Sequence, residues 1–397
     1  MLTNLFPPVV SGSSTHSWLL SRELVLRGHS VCVITARIDP TTPEYELQEG
    51  VSIYRLPAMR LPRTSLTFNF PWLSYTYTPA NQRRIREILR RHDADVLHLH
   101  NHMFDLGLSA SRARRRLSKP LVVTIHTVFS HPNPLWNGVL RCADNLIVSP
   151  LVVAQASALI CPDINIRAYV RTAYGRSEEP LVPYGVGVPG QPLPSLVEEY
   201  RSSFALEGKR IILSLGHVHE IRNRADLVLA MPAVLERIPQ AVLLIVGAVA
   251  TTTPARLSRS LGIQNSVRLV GPVPHDHVPA LLKLADLEAH WLNQKSSEST
   301  SLGIASLEAM SAGLPVVTAA NPDTYGPGVL RDGDNIVLVD RGNPEALAAK
   351  LVELLGDPEL RARIGERARQ TIEEHFSWDV VCRTTTDVYR DVMERQS

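Results

Sequence analysis

The chain has 397 residues, 44% apolar and 20% charged, which excludes a disordered polymer and leaves room for two domains at roughly 100–200 residues each. Basic and acidic side chains nearly cancel at a net +2, spread as +7 over residues 1–190 and −5 over 191–397, too balanced for a dedicated nucleic-acid binder. Cys32, Cys142, Cys161 and Cys382 have no paired spacing, so neither a disulfide framework nor a zinc cluster is expected.

The sequence opens without the basic stretch and apolar core of a signal peptide, and no apolar run reaches the roughly 18 residues of a membrane span. A soluble, cytoplasmic protein is expected. Only residues 1–5 precede Pro7-Pro8, so either the first strand is very short or the given start lies inside it. Ser11-Gly12-Ser13-Ser14-Thr15-His16 then opens a helix. Its small residues either let a substrate approach backbone amides or form a plain N-cap at Ser13 or Ser14.

Continuous apolar runs predict strands buried on both faces at 31–35, 95–100, 121–126 and 145–149. Between the first two lies a basic helix, 81–91, with Arg83, Arg84, Arg86, Arg90 and Arg91. It is either a solvated face or a weak contact for an anionic membrane surface or an acidic acceptor. His98, His100 and His126 stand at strand ends, where open parallel sheets bind ligands. Each is either a structural hydrogen-bonder or a general acid or base. His98, His100 and His102 lack a carboxylate or cysteine at ligand spacing, so no metal site is expected.

Prolines and glycines crowd 180–195, which reads as a linker. Strands at 211–216, 242–247, 267–271, 314–318 and 335–339 follow, interleaved with helices striped by Leu227, Met231, Val234 and Leu235, and by Leu347, Leu351 and Leu354. The alternation predicts an α/β protein of two Rossmann-like domains with parallel sheets facing a cleft. Residues 1–190 form one domain and 191–375 the other; a C-terminal helix, 376–397, either packs back on the first or simply ends the chain.

Two loops of the second half suit an anion. After Gly216, His217 leads to Arg222 and Arg224, either a diphosphate clamp or a solvated loop paired to Glu220. Ser299-Thr300-Ser301-Leu302-Gly303-Ile304 begins a helix carrying Glu308 about two turns in. Its amides and dipole suit phosphate, and Glu308 could bind a ribose; an ordinary capped helix explains the same pattern.

Read together and in order, these segments resemble the family-4 retaining glycosyltransferases of the GT-B fold. The likeness runs through Asn4–Pro8 with Gly12, Arg27-Gly28-His29-Ser30-Val31, Asp95–His100, Val122–His126, Ala143-Asp144, Val182-Pro183-Tyr184-Gly185-Val186, Glu308–Val317 and Phe376-Ser377-Trp378. It covers nearly the whole chain. The resemblance implies that the second domain binds a nucleotide-diphosphate sugar and the first binds a small-molecule, glycan or lipid-linked acceptor. It implies transfer with retention and without a bound metal or other cofactor. Carried over by position, Glu308 holds the ribose, the amides around Thr300, Ser301, Leu302, Gly303 and Ile304 meet diphosphate and sugar, and Val273 lies near the base. His126 is then catalytic, with Gly12, His16 and His100 on the acceptor side.

The chain departs from the family pattern in four places. Tyr184 stands where Asn is usual, His217 where Arg is usual, and Arg222 or Asn223 takes the place of a Lys. The family's acid eight residues before Glu308 is Thr300 here, and the nearest carboxylate is Glu298, which is expected to reach the sugar unless the Thr300 hydroxyl does. A sugar-nucleotide epimerase, a phosphorylase-like enzyme and a nucleotide-sugar binder without catalysis are the alternative readings.

Overall fold

The computed structural model describes residues 1–9, 11–61, 73–128, 131, 133–218, 222–290 and 301–396. Two compact units result, Met1–Gly185 with Trp378–Ser397, and Val186–Ser377.

In the first unit the strands are β1 (Leu2–Thr3), β2 (Cys32–Arg37), β3 (Tyr45–Gln48), β4 (Val51–Pro57), the small antiparallel pair β5 (Met59–Arg60) and β6 (Ser74–Tyr75), then β7 (Leu97–His100), β8 (Leu121–Thr124) and β9 (Ala158–Ile160). Helices α1 (Gly12–Leu26), α2 (Pro79–Arg91), α3 (Leu106–Leu117), α4 (Pro134–Ala143), α5 (Ser149–Leu151) and α6 (Ile164–Tyr174) connect them. The sheet order is β3-β4-β2-β1-β7-β8-β9, with every pairing parallel except β3 on β4. Central strands β1, β7 and β8 are buried throughout because helices cover both faces. On α2, Thr78 caps the first turn and Pro79 fits its start, where a missing N–H costs nothing. Ile85, Ile88 and Leu89 are buried while Arg83 and Arg90 stay exposed.

The second unit has β10 (Arg210–Leu215), β11 (Ala241–Val246), β12 (Val267–Gly271), β13 (Leu287–Ala289), β14 (Val316–Thr318) and β15 (Val337–Leu338). They lie in the order β12-β11-β10-β13-β14-β15, all parallel. Around them run α7 (Pro194–Ser203), α8 (Arg224–Arg237), α9 (Thr253–Ser260), α10 (Val278–Leu284), α11 (Ile304–Ser311), α12 (Pro344–Gly356) and α13 (Pro358–His375). One core joins Leu227, Met231 and Val234 of α8 to Leu347, Leu351 and Leu354 of α12. On the other face, Leu281, Leu307, Met310, Ala368 and Ile372 pack with Phe376.

The last helix, α14 (Trp378–Glu394), belongs to the first unit. Its Trp378, Val381, Cys382, Val388 and Val392 share a core with Leu20 and Leu24 of α1 and with Val33 and Ile53.

Both sheets have the doubly wound order. Successive strands step outward one way from β1 through β2 to β4, and the other way from β7 through β8 to β9. In the second unit the reversal falls between β10 and β13. At such switch points the flanking loops leave in opposite directions and open a crevice at the carboxyl ends.

Several expected elements are corrected. Residues 145–149 are helical: α4 runs on through a π-turn, Asp144–Val148, into α5. A short apolar run has no period of its own to tell strand from helix, and here Leu146 and Ile147 face solvent. The Asp144 carboxylate accepts from the hydroxyls of Tyr169 and Tyr174. The runs at 314–318 and 335–339 shorten to β14 and β15. The first helix is capped by Ser11, which accepts the Ser14 N–H, rather than by Ser13 or Ser14. Among the described residues no helix is long and apolar enough to cross a membrane.

Candidate functional site

At the switch point of the first unit, Thr3 of β1 pairs with His100 of β7. The next residue, Asn4, donates its side-chain amide to Asp105 at 2.7 Å. The other carboxylate oxygen of Asp105 accepts the Thr76 hydroxyl at 2.9 Å and the Tyr77 N–H at 2.8 Å. One carboxylate thus ties the turn after β1 to the segment before α2.

Alternation along β7 puts His98 and His100 on one face. His98 lies 2.7 Å from the Thr124 hydroxyl and 2.6 Å from that of Tyr389 on α14. His100 Nδ1 is 3.1 Å from His126 Nε2, and His126 Nδ1 is 3.0 Å from the Tyr184 hydroxyl. The rings of His126 and Tyr184 are parallel within 3°. His16 of α1 packs edge-on against Tyr184 and stacks on Trp378.

Burial holds this cluster neutral. It pushes His16 down to about 4 and His102 to about 3, and takes His98, His100 and His126 well below the usual histidine value. A neutral imidazole has one donor and one acceptor, so the row Tyr184–His126–His100 conducts hydrogen bonds in one sense only. Its inner end, His100 Nε2, has no hydrogen-bond partner among the described residues. At the other end Tyr184, and His126 beside it, are partly exposed, and His126 is the imidazole through which the row can meet a ligand.

The second unit ends three adjacent strands in glycine. Gly216, Gly247 and Gly271 follow or close β10, β11 and β12, each with positive φ. A Cβ on Gly247 would stand 2.2 Å from the Gly216 carbonyl oxygen, so the strand ends approach more closely than side chains permit. Across the switch point, β13 supplies Glu288 and, just beyond its end, His290, both buried. Glu288 accepts the Ser306 hydroxyl of α11 at 3.1 Å. Burial pushes its carboxyl up to about 8 against the pull of Arg224, Ser306 and Arg222. Burial and the same two arginines keep His290 well below its usual value. Arg222 Nη1 lies 3.3 Å from His290 Nε2.

Helix α11 starts at Ile304, with Gly303 as N-cap and no side-chain cap bond. Its first amides have no intrahelical acceptor, and the positive end of its dipole lies at this turn. Glu308, one turn in and partly exposed, accepts from His275 Nε2 at 2.8 Å; that bond raises the His275 pKa. Among the described residues no cluster of three or more His, Cys, Asp or Glu has the arrangement of a metal site.

Comparison with known proteins gives this geometry a family. Residues 197–371 match the model described as glycosyl transferases group 1, and residues 10–187 match glycosyltransferase family 4. The chain belongs to the family-4 glycosyltransferases. A phosphatidyl-myo-inositol mannosyltransferase of Mycobacterium leprae is 29% identical over 390 residues, covering 97% of this chain and 94% of that protein. The fold of sucrose-phosphate synthase from Thermosynechococcus elongatus superposes with a TM-score of 0.74 at 18% identity, over 99% of this chain and 98% of that one. Anabaena HepE, solved in complex with UDP-glucose, gives 0.69 at 17% identity, over 98% and 99%. These likenesses establish the GT-B fold.

In this glycosyltransferase His16, His100 and His126 come together in the first unit, with Gly12 at the first turn of α1. In the second unit Gly216, Arg222, Gly303, Ile304 and Glu308 lie at the strand ends and at α11. His217 is exposed, Ser301 is partly exposed, and Val273 packs against the second core. Leu302 is buried, and its N–H donates to the Tyr325 hydroxyl at 3.2 Å. Two expectations change. Arg224 is 2% exposed and turns inward. Its donors serve Ser214 Oγ and the carbonyls of Leu215, Gly216 and His217, so it braces β10 instead of clamping a ligand. Glu308 is one turn inside its helix, not two, because the helix begins at Ile304. Glu298 and Thr300 lie outside the described residues.

Sequence reasoning missed Glu288, His290 and Asp105. For the first two a signal existed: a carboxylate and a histidine two apart inside an otherwise apolar stretch, the spacing that puts both on one face of a strand.

Proposed function

We propose that this protein transfers a sugar from a nucleotide-diphosphate sugar to an acceptor hydroxyl, with retention at the anomeric carbon and without a resident metal or other cofactor. The observation that carries the reading is the start of α11. A helix N-terminus without a side-chain cap, with a partly exposed carboxylate one turn inside, offers amides to a diphosphate and an acceptor to ribose hydroxyls. Arg222 adds a cation beside the glycine-ended strands. As the bond from the anomeric carbon to the diphosphate breaks, these groups stabilise the charge on the departing oxygen. The new bond forms to the acceptor oxygen on the same face, and the acceptor proton is lost.

The first unit supplies the acceptor side. Gly12, His16 and His100 line the histidine cluster, and His126 is the catalytic imidazole, held neutral for hydrogen bonding to reacting hydroxyls. Glu298 is assigned to the sugar hydroxyls. The UDP-glucose complex of Anabaena HepE supports a nucleotide-sugar donor, and the name of the mannosyltransferase relative a lipid-linked acceptor. The arginines of α2 offer a cationic face to the anionic membrane surface that carries such an acceptor, on the cytoplasmic side.

A thermal-stability screen over UDP-, GDP- and ADP-sugars, followed by assay of free sugar and glycosylated product, tests the reading. One nucleotide sugar should raise the melting temperature and be slowly hydrolysed without acceptor. EDTA should leave that turnover unchanged. Stabilisation without any turnover would make the protein a binder. An altered nucleotide sugar would make it an epimerase.

A further inference from the structure

Arg222 stands in a 3-10 turn two residues before the start of α8. Its guanidinium Nη1 lies 3.3 Å from His290 Nε2. The protonation of that ring decides what the contact is. The ring bonds the Leu215 backbone, while Glu288 Oε1, 3.5 Å from Nδ1, makes no hydrogen bond among the described residues. The Leu215 carbonyl therefore takes the proton of Nδ1. A neutral imidazole has only one proton to give, so Nε2 is left as the acceptor. An arginine N–H is always a donor. The Arg222 contact is then a proper hydrogen bond, while Arg224 Nη2, 3.0 Å from Nδ1, directs its protons to the Leu215 and Gly216 carbonyls at 2.8 and 3.2 Å.

We propose that His290 is the positioning residue for Arg222: Leu215 fixes its tautomer, and its Nε2 holds the guanidinium in place for the diphosphate of the donor. This rests on the nucleotide-sugar reading above. Gly216 makes the contact possible. A Cβ there would stand 2.6 Å from Arg222 Nη1 and 2.8 Å from His290 Cε1, inside the space that ring and guanidinium share.

Calorimetry with UDP and UMP as probes tests this. His290→Leu and Arg222→Leu should each weaken UDP about tenfold, the scale of one charge-assisted hydrogen bond, and leave UMP nearly unchanged. The double variant should bind UDP no worse than Arg222→Leu alone, since both remove one interaction. His290→Gln, which returns an acceptor oxygen near the Nε2 position, should recover most of the loss. Equal loss for UDP and UMP, or losses that multiply in the double variant, would show a merely structural histidine. Nitrogen NMR of the unaltered protein gives a second, folding-independent check: a proton on His290 Nε2 instead of Nδ1 overturns the assignment. If the unaltered protein binds none of UDP, GDP and ADP, the donor reading itself fails. If it binds one and the variants bind it equally well, only the role of His290 fails.

Discussion

His126 is the one member of the neutral histidine row that reaches the surface, and Tyr184 and His100 hold its two nitrogens from either side. In the proposed transfer a group so placed acts on reacting hydroxyls rather than on donor binding. His126→Ala should lower kcat roughly 100-fold, the lower end for a positioned acid or base, with the donor Kd changed by less than about threefold. A variant with normal kcat and a raised donor KM would remove His126 from the chemistry.

Glu288 makes a second prediction at this scale. Its carboxyl titrates near 8 when folded against a reference value of 4.5. Between those values the folded state keeps a proton that the unfolded state has released, so stability falls as pH rises through the window. Glu288→Gln keeps the Ser306 bond and does not titrate. Its stability relative to the unaltered protein should therefore climb by on the order of 2–4 kcal/mol from pH 5 to pH 8, read from urea unfolding of the second unit. A difference that stays flat across that range rejects the buried, protonated carboxyl.

Residues at the ends of long apolar strands were readable from sequence: His100, His126 and Gly216 follow runs that can only be buried. His290 obeys the same strand-end rule as His100 but was hidden. β13 has three residues with a glutamate in the middle, and a charge breaks the apolar run by which a buried strand is recognised. Arg224 failed in the opposite way. Its position after β10 suggested a ligand, yet a guanidinium's five donors match the carbonyls left free where a strand ends. Nothing in the order of residues distinguishes the two uses.

Among the elements, α11 joins fold to function. Glu308→Ala should weaken nucleotide-sugar binding by about 1–3 kcal/mol, as for hydrogen bonds to a charged group, and should also return the His275 pKa to its ordinary value. Unchanged calorimetric affinity would take the helix out of the donor site. Behind it, α13 comes so close that a Cβ on Gly365 would stand 1.9 Å from the Gly313 carbonyl oxygen. Neither backbone can yield without moving α11. Gly365→Ala should cost about 2–4 kcal/mol of stability and weaken the donor as well; a variant as stable as the original would mean the helices slide freely. Helices with strong caps and stripes, such as α2, α8 and α12, were legible to within a few residues. The start of α11 was not, because Ser299, Thr300 and Ser301 all suit an N-cap and the position is held by Gly303.

For the whole molecule the decisive feature is that the chain passes between units twice, at Gly185–Val186 and at Ser377–Trp378. At the second crossing Trp378 lies on Gly185, where a Cβ would stand 2.5 Å from the indole, and Tyr389 bonds His98. Removing residues 378–397 should lower the melting temperature of the first unit by on the order of 10 °C and leave the second unit's transition in place. Equal shifts in both would mean that the tail stabilises the molecule generally.

The same double passage bears on synthesis. Domains usually fold in the order in which the ribosome delivers them. Residues 1–185 emerge first, yet their core keeps an open face along α1 until α14 has been made. The second unit is continuous in sequence and can close while the first still waits. The half of the protein translated first is therefore the half completed last, and its apolar face needs shielding in the interval.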